Sequence, residues 1–275
     1  GATVLEVPGV FDDCMKVVEH LAEHYRVALL NSKNSWRILG QESYAYEVAQ
    51  WFNWDLAGKV LFVPVGNAGN ITAVMSGLLK MRRLGIISDL PRLFGVQSDP
   101  VWRYYSKPKA ERVYNPVAVR PSVAQAAMIG NPVSFPRVKA LVDAYEAAGG
   151  EFGVVQVTEQ AIMDATILAN RHGHIVCTQG GECLAGLLKA REEGRVAAGE
   201  KAVLDSTAHA LKFAGFQNMY FTDTFPPEYG VAPDASLANR PSLVVDAAEK
   251  ARLSAEEFTR AAAKAVAERL ELAGK

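Results

Sequence analysis

A glycine loop between an apolar run and a helix-like segment is the part of the sequence best suited to chemistry. Residues 61–73 read LFVPVGNAGNITA, with Gly66 and Gly69 in the turn and the side-chain amides of Asn67 and Asn70 beside them. A strand, a glycine turn and a helix start direct backbone N–H groups and the positive end of the helix dipole at one point. The pattern predicts an anion site. A tight turn in which Asn70 only caps the helix stays open as the alternative, since Gly-x-x-Gly is a short motif.

The anion expected in this loop is a compact phosphate. No Gly-Lys-Ser or Gly-Lys-Thr follows, so the loop is not a P-loop, and the Gly-x-Gly-x-x-Gly spacing of dinucleotide-binding folds is not met. Asp99 follows the next apolar run. An acidic residue at such a place can bind a ribose hydroxyl, which leaves a nucleotide site open as an alternative.

Strand-like and helix-like segments alternate around the loop and have to position it. Apolar runs predict strands at 2–7, 26–30, 59–65, 92–97, 153–157, 174–178 and 201–206. Helical spacing predicts helices at 11–25, 41–52, 71–85, 134–149, 158–173, 182–193 and 254–273, with Thr158 as one N-cap and Ser254 with Glu257 as a capping box. Residues 214–245, rich in Pro, Asn and aromatic residues, are expected to be irregular. The alternation indicates parallel β-α-β units and an α/β fold.

Composition and charge exclude several classes of function. The chain has 275 residues, of which 49% are hydrophobic and 21% charged, and its net charge is −1. The lack of a basic surplus argues against nucleic-acid binding, and no apolar run approaches the roughly 20 residues that span a bilayer. Cys14, Cys177 and Cys183 have neither zinc-ligand spacing nor the pattern of a disulfide framework. They favour a reducing, cytoplasmic setting without a metal site.

Five segments, in order along nearly the whole chain, resemble one enzyme family. They are the glycine loop, NSKNSWRILGQESYAYEV at 31–48, RPSVAQAAMIGNPVS at 120–134, HIVCTQGGECLAGLLKA at 174–190 and LDSTAHALKF at 204–213. Together they are similar to the threonine synthases, pyridoxal-phosphate (PLP) enzymes of the tryptophan synthase β-like fold, or PLP fold type II. The resemblance implies an α/β three-layer sandwich with a mostly parallel sheet, of which this chain is mainly the large domain.

The resemblance also implies a set of cofactor-binding residues. In the family the glycine loop holds the phosphate of pyridoxal 5′-phosphate, which corresponds here to Gly66, Asn67, Ala68, Gly69 and Asn70. Thr207 matches the hydroxyl residue that meets the pyridine nitrogen of the cofactor. A neutral hydroxyl does not force protonation of that nitrogen and so tunes how strongly the ring withdraws electrons.

A second set of residues is implied for the substrate. In the family a loop like NSKNSWR binds the phosphate of O-phosphohomoserine, which corresponds to Asn31, Ser32 and Arg37. A guanidinium forks onto two phosphate oxygens, while amide and hydroxyl add neutral hydrogen bonds. His209 matches a family position where we favour structural hydrogen bonding over proton relay. The turn at Thr178 and Gln179 departs from the family's usual Glu-Pro pattern, which leaves its contacts open.

Two family segments are missing from the sequence. The family's Schiff-base lysine lies in a stretch similar to Ser-Phe-Lys-Asp, and neither this nor a Ser-Gly-Asn-Thr-Gly segment occurs here. The resemblance therefore implies the C-terminal portion of a threonine synthase. Residues 1–40 are then the remainder of a small N-terminal domain, and residues 41–275 are the PLP-binding domain with its C-terminal helix. We expect the isolated chain to be inactive and assign it no catalytic residue.

The expected activity of the full-length enzyme is a β,γ-replacement that converts O-phospho-L-homoserine and water to L-threonine and phosphate. Its partner is then a small-molecule substrate, with neither nucleic acid nor membrane, and a homodimer is the expected assembly. Alternatives are a threonine or serine dehydratase and a non-catalytic phosphate-binding module. The spacing of Asn31, Ser32 and Arg37 argues against a dehydratase, whose substrate carries no phosphate.

Overall fold

Four parallel strands form the sheet in the part of the chain described by the computed structural model, residues 1–31, 33–98, 114 and 116–274. Their bounds are Lys59–Pro64 for β1, Arg92–Gln97 for β2, Phe152–Gln156 for β3 and Lys201–Leu204 for β4, and their order is β3-β2-β1-β4. The pairing of β1 with β4 sets Phe62 opposite Leu204. Because the two strands are parallel, the loops that leave their carboxyl ends start side by side.

Helices connect and flank these strands. In the described residues they are α1 (Phe11–His24), α2 (Ser35–Gln41), α3 (Ser43–Trp51), α4 (Gly69–Arg83), α5 (Phe135–Ala147), α6 (Glu159–Arg171), α7 (Thr178–Glu192), α8 (Ala214–Thr222), α9 (Ala247–Lys250) and α10 (Ala255–Arg269). Short 3-10 helices lie at Gln125–Ala127, Ala210–Phe213 and Pro227–Tyr229.

Both faces of the sheet are covered, which explains its continuous apolar strands. Leu61 and Val63 of β1 belong to one buried cluster with residues of α3, α4 and α5. Phe62, between them, points to the other face because strand side chains alternate, and its ring stacks on Phe94 with centroids 5.1 Å apart. There Gly186 of α7 lies so close to Val96 that an added Cβ would be 2.6 Å from it. The sequence thus folds into a three-layer arrangement with the sheet in the middle.

The predicted strands nearest the glycine loop are confirmed, and so are the helix caps. The runs at 59–65, 92–97 and 201–206 contain β1, β2 and β4, and the run at 153–157 overlaps β3, which begins one residue earlier at Phe152. The Thr158 hydroxyl accepts a hydrogen bond of 3.1 Å from the N–H of Ala161 at the start of α6. Ser254 and Glu257 form the reciprocal capping box that begins α10.

Three other predicted strands are wrong. Residues 2–7 and 26–30 lie outside any strand, and large apolar side chains in them are exposed, with Val4 at 89% and Leu30 at 78%. An apolar run without a neighbouring strand cannot complete its backbone hydrogen bonds as sheet. Residues 174–178 form only an isolated bridge between Val176 and His209, because α7 already begins at Thr178.

The expectation of an irregular segment at 214–245 is wrong in its first part, where α8 forms. Phe216 and Tyr220, four residues apart, both lie on the buried side of this helix. The Tyr220 hydroxyl donates to Asp164 of α6 at 2.6 Å and accepts from the N–H of Asp234 at 2.9 Å. Aromatic residues in a segment predicted to be irregular therefore stabilise a helix, and Tyr220 also binds the segment that follows it.

Two compact units divide the chain, Gly1–Leu237 and Ala238–Lys275. The first contains the sheet and α1 to α8, and the second contains α9 and α10. The boundary near residue 40 between a small and a large domain stays a prediction. Within the described residues, no helix has both the length and the apolar character needed to cross a membrane.

Candidate functional site

The glycine loop joins β1 to α4 and leaves the amino end of that helix without a side-chain cap. Ala68 is the N-cap, has φ of 64° in the left-handed region, and makes no side-chain cap hydrogen bond. The first intrahelical bond runs from the N–H of Thr72 to the carbonyl of Ala68 at 3.1 Å. The N–H groups before Thr72 precede the helical bonding pattern, at the positive end of the helix dipole. The loop therefore offers a ligand the donors that an anion requires.

Close contacts with a second loop hold the glycine loop in place. A Cβ on Gly66 would lie 2.7 Å from both the carbonyl oxygen of Ala126 and the Cα of Ala127, so a side chain cannot be accommodated there. The side-chain oxygen Oδ1 of Asn67 accepts a hydrogen bond of 3.0 Å from the N–H of Val133. The glycine is thus required by the approach of two backbones.

Two buried amide donors beside the loop have no hydrogen-bond partner among the described residues. They are the Nδ2 atom of Asn67 and the Nε2 atom of Gln179, the latter in the first turn of α7. Both residues line a cavity of about 360 Å³. Buried polar groups are almost always paired in folded proteins, so two orphan donors on residues that line one cavity favour a ligand that accepts hydrogen bonds.

The predicted cofactor-binding residues lie together around the cavity. Gly66, Asn67, Ala68, Gly69, Asn70 and Thr207 all line it. They meet because the loop after β1 and the loop after β4 leave neighbouring parallel strands. The Thr207 hydroxyl also lies 3.7 Å from the sulfur of Cys177, and Cys177 is the N-cap residue of α7.

The predicted substrate residues are not all brought together. Arg37 of α2 lines the cavity, whereas Asn31 is not among the lining residues. The Asn31 amide donates to the sulfur of Met15 at 3.0 Å, and its carbonyl oxygen accepts from the N–H of Lys33 at 3.0 Å. Ser32 lies outside the described residues, as does Asp99 of the nucleotide alternative. The role of Asn31 and Ser32 stays a prediction.

The sequence did not predict three charged or polar residues of the cavity, Asp205, Lys212 and Gln41. For a fourth, Gln179, the sequence left the contact open. Asp205 directly follows β4, at the carboxyl edge of a parallel sheet where ligands commonly bind, and that position was a usable signal. Lys212 carried no comparable signal, because a single lysine in a short 3-10 helix is usually a solvated surface residue.

Asp205 is a residue of the cavity whose pKa is strongly shifted by burial. Its side chain is only 6% exposed, and its Oδ2 accepts a hydrogen bond of 2.5 Å from the Asn70 amide. Burial raises the pKa of Asp205 to about 6, against the opposing effect of the Asn70 hydrogen bond. A carboxyl group whose pKa is raised by burial is therefore hydrogen-bonded to Asn70 of the glycine loop.

His209 acts as a local cap in this structure. Its Nδ1 atom accepts a hydrogen bond of 3.1 Å from the N–H of Leu211, at the start of the 3-10 helix that contains Lys212. The structural reading favoured from the sequence agrees with this contact. Within the described residues, no group of three or more His, Cys, Asp or Glu side chains is placed to hold a metal ion.

Comparison with protein families gives a match over most of the chain. The family described as "Pyridoxal-phosphate dependent enzyme" matches residues 1–207. A chloroplastic threonine synthase 2 of Arabidopsis thaliana is 37% identical over 216 residues, covering 78% of this chain and 40% of that protein. A threonine synthase of Methanocaldococcus jannaschii is 37% identical over 216 residues, covering 77% of this chain and 51% of that protein. The chain thus spans about half the length of the curated relatives it matches.

Solved structures agree with the fold. The crystal structure of Escherichia coli threonine synthase matches with a TM-score of 0.60 at 19% identity, over 86% of this chain and 53% of that one. The structure of maize serine racemase matches with a TM-score of 0.54 at 17% identity, over 81% of this chain and 64% of that one. The resemblance to threonine synthases and the PLP fold type II architecture expected from the sequence are both confirmed.

Proposed function

The chain belongs to the family of pyridoxal-phosphate dependent enzymes, and on this premise we propose that the glycine loop holds the phosphate group of that cofactor. The observation that carries the proposal is the pair of orphan amide donors, Asn67 Nδ2 and Gln179 Nε2, on two residues that line the cavity beside the start of α4. The uncapped helix end supplies backbone donors and a favourable dipole for the same anion. A phosphate dianion would satisfy both kinds of donor at once.

The remaining cofactor contact is assigned to Thr207. Thr207 lies in the loop after β4, and β4 pairs with β1, the strand that precedes the glycine loop. Thr207 and the glycine loop therefore line one cavity. As a neutral group, Thr207 would meet the pyridine nitrogen without holding a proton on it. When bound, the cofactor supplies an electron sink for negative charge that develops on the substrate. The work of this chain is then to bind and orient the cofactor and to exclude water from its phosphate.

For the complete protein that carries this chain, we propose threonine synthase activity. O-Phospho-L-homoserine and water would give L-threonine and phosphate, with the phosphate leaving Cγ and the water oxygen bonding to Cβ. Arg37 and Lys212 are the cations that line the cavity, and a guanidinium and an ammonium suit the phosphate group of this substrate. Asn31 and Ser32 belong to the same proposed substrate loop.

The decisive experiment compares substrates and one variant in the complete protein. Phosphate release from O-phosphohomoserine and ammonia release from threonine are measured with the wild type and with Arg37→Ala. We expect activity on phosphohomoserine, and a raised KM for it in Arg37→Ala. The matched control is Arg83→Ala, which changes an exposed arginine at the end of α4 outside the cavity.

Two outcomes would overturn the proposed activity. Turnover of threonine with none of phosphohomoserine would assign a dehydratase instead. Equal KM values for Arg37→Ala, Arg83→Ala and the wild type would remove Arg37 from the substrate site.

A cytoplasmic location and a homodimer complete the proposal. Cys14, Cys177 and Cys183 are all free thiols, and two of them are buried, which suits a reducing compartment. Sedimentation velocity on the complete protein tests the dimer, and a concentration-independent monomer would refute it.

A further inference from the structure

The candidate cavity contains a carboxylate where an anion is expected to bind. Among the residues lining the cavity, Asp205 is the acidic one, whereas Arg37 and Lys212 are the basic ones. The Asp205 carboxyl is in direct contact with the glycine loop. It accepts a hydrogen bond of 2.5 Å from the side chain of Asn70, the second residue of α4.

The surroundings of Asp205 do little to stabilise a negative charge. Its backbone N–H donates to the carbonyl of Phe62 on β1, which fixes its position. Tyr44 of α3 and Cys183 of α7 face it, and its charge raises the pKa of both groups further, after burial has raised them first. Within the described part of the chain, no ion pair reaches Asp205, and Asn70 is the side chain that donates to it.

Two anions in one cavity repel each other, and this repulsion favours the neutral form of the Asp205 carboxyl when a second anion binds. We propose that Asp205 is a positioning residue of the anion site: it binds a proton when an anion occupies the glycine loop, and its neutral carboxyl keeps Asn70 in place. This rests on the proposed function only in requiring that the loop binds an anion.

The proposal fixes how anion affinity depends on pH. Burial already raises the pKa of Asp205 to about 6, and an adjacent anion raises it further because like charges disfavour the ionised form. Affinity is therefore highest and constant below pH about 6. It falls as pH rises through that value, by up to about tenfold per pH unit, until the pKa of the occupied site is passed. The protein takes up as much as one proton per anion bound near pH 7.

Sulfate is the probe, because it remains a dianion from pH 5.5 to 8 and adds no titration of its own. Isothermal titration calorimetry of the chain at constant ionic strength gives the affinity across this range. Repeating it at pH 7 in two buffers with different ionisation enthalpies gives the protons taken up.

The matched variants are Asp205→Asn and His209→Asn. Asp205→Asn keeps an acceptor for the Asn70 amide but cannot titrate. His209→Asn keeps a cap for the N–H of Leu211 and removes the nearby imidazole. We expect the wild type and His209→Asn to lose about tenfold or more in sulfate affinity between pH 6 and 8, and Asp205→Asn to bind independently of pH.

The outcomes separate this inference from the proposed function. Sulfate binding by the wild type without pH dependence or proton uptake overturns the role of Asp205 and leaves the anion site standing. Failure of the wild type to bind either sulfate or pyridoxal phosphate overturns the anion site and the inference together. If Asp205→Asn does not fold, the proton uptake of the wild type in the two buffers still decides the question, because it needs no variant.

Discussion

Gly66→Ala is the substitution that tests most directly whether the glycine loop binds an anion. The added Cβ would lie 2.7 Å from the carbonyl oxygen of Ala126 and from the Cα of Ala127, and ordinary contact begins at 3.4 Å. Both contacts are backbone atoms, which cannot rotate away as a side chain does. The two loops must therefore separate by at least the difference of 0.7 Å between those two values.

This displacement gives the expected magnitudes. A hydrogen bond from the loop to an anion at about 2.9 Å would lengthen to about 3.6 Å, beyond the range in which it counts as one. Each hydrogen bond to a charged group contributes about 1.5–3 kcal/mol, so losing one weakens anion affinity by about 10-fold to 150-fold. Overpacking at the loop contact lowers the free energy of unfolding by about 1–3 kcal/mol.

The assay measures both quantities on the same samples. Calorimetry with sulfate and with pyridoxal phosphate gives the affinities, and urea unfolding gives the stability. The control is Gly215→Ala, a glycine of α8 where an added Cβ meets nothing within 4 Å. We expect it to bind normally and to be stabilised by up to about 1 kcal/mol, because alanine favours a helix over glycine.

Two results would refute the reasoning. Wild-type affinity in Gly66→Ala would mean that the anion binds elsewhere or that the loop does not determine its position. Equal loss of affinity in Gly215→Ala would mean that general destabilisation, and not the loop contact, weakens binding.

Three further predictions concern other parts of the molecule. Burial raises the pKa of Glu182 well above 4.5, so stability is lost as pH rises above about 4.5. Glu182→Gln should then gain on the wild type by up to about 1.4 kcal/mol per pH unit in urea unfolding between pH 5 and 7, and a constant difference would refute this. Lys212→Met should weaken sulfate binding about fivefold and flatten its salt dependence, since an exposed charge contributes roughly 1 kcal/mol. Lys264→Met, on exposed α10, should change neither. Ser254→Ala should lower the stability of α10 by about 1 kcal/mol through loss of its cap, and unchanged helicity in circular dichroism melting would contradict the capping role.

The sequence was sufficient for the parts of the fold that are determined locally. The strand that precedes the glycine loop could be predicted because its apolar run is bounded by turn residues on both sides, and β1 begins and ends within the predicted range. The caps at Thr158 and Ser254 were predictable for the same reason, since each depends on a side chain and a backbone N–H three residues later.

Features that depend on distant residues could not be predicted in this way. Residues 2–7 read as a strand, but strand formation requires a neighbour, and the apolar pattern does not say whether one is present. Asp205 reads as an acidic residue after a strand. Its proximity to Asn70, 135 positions earlier, follows only from the parallel pairing of β1 with β4. Helix α8 was missed because aromatic residues near Pro and Asn resemble a loop until their buried partners are known.

The site is built from polar groups that reduce the stability of the chain, and this bears on its function. Asn67 Nδ2 and Gln179 Nε2 are buried without partners in the part of the chain that the structure describes, and an unsatisfied buried donor costs about 1–3 kcal/mol. An apolar residue in place of Gln179 would remove that cost, so stability alone does not explain the Gln179 amide, whereas Asn67 also accepts the hydrogen bond from Val133. The backbone contact at Gly66 and the hydrogen bond from Val133 hold the loop rigid despite the cost. Donors that are already dehydrated and oriented need no reorganisation when an anion arrives, which is the physical basis of tight phosphate binding. In the role proposed for Asp205, its negative charge opposes the anion in the glycine loop, and uptake of a proton removes that repulsion.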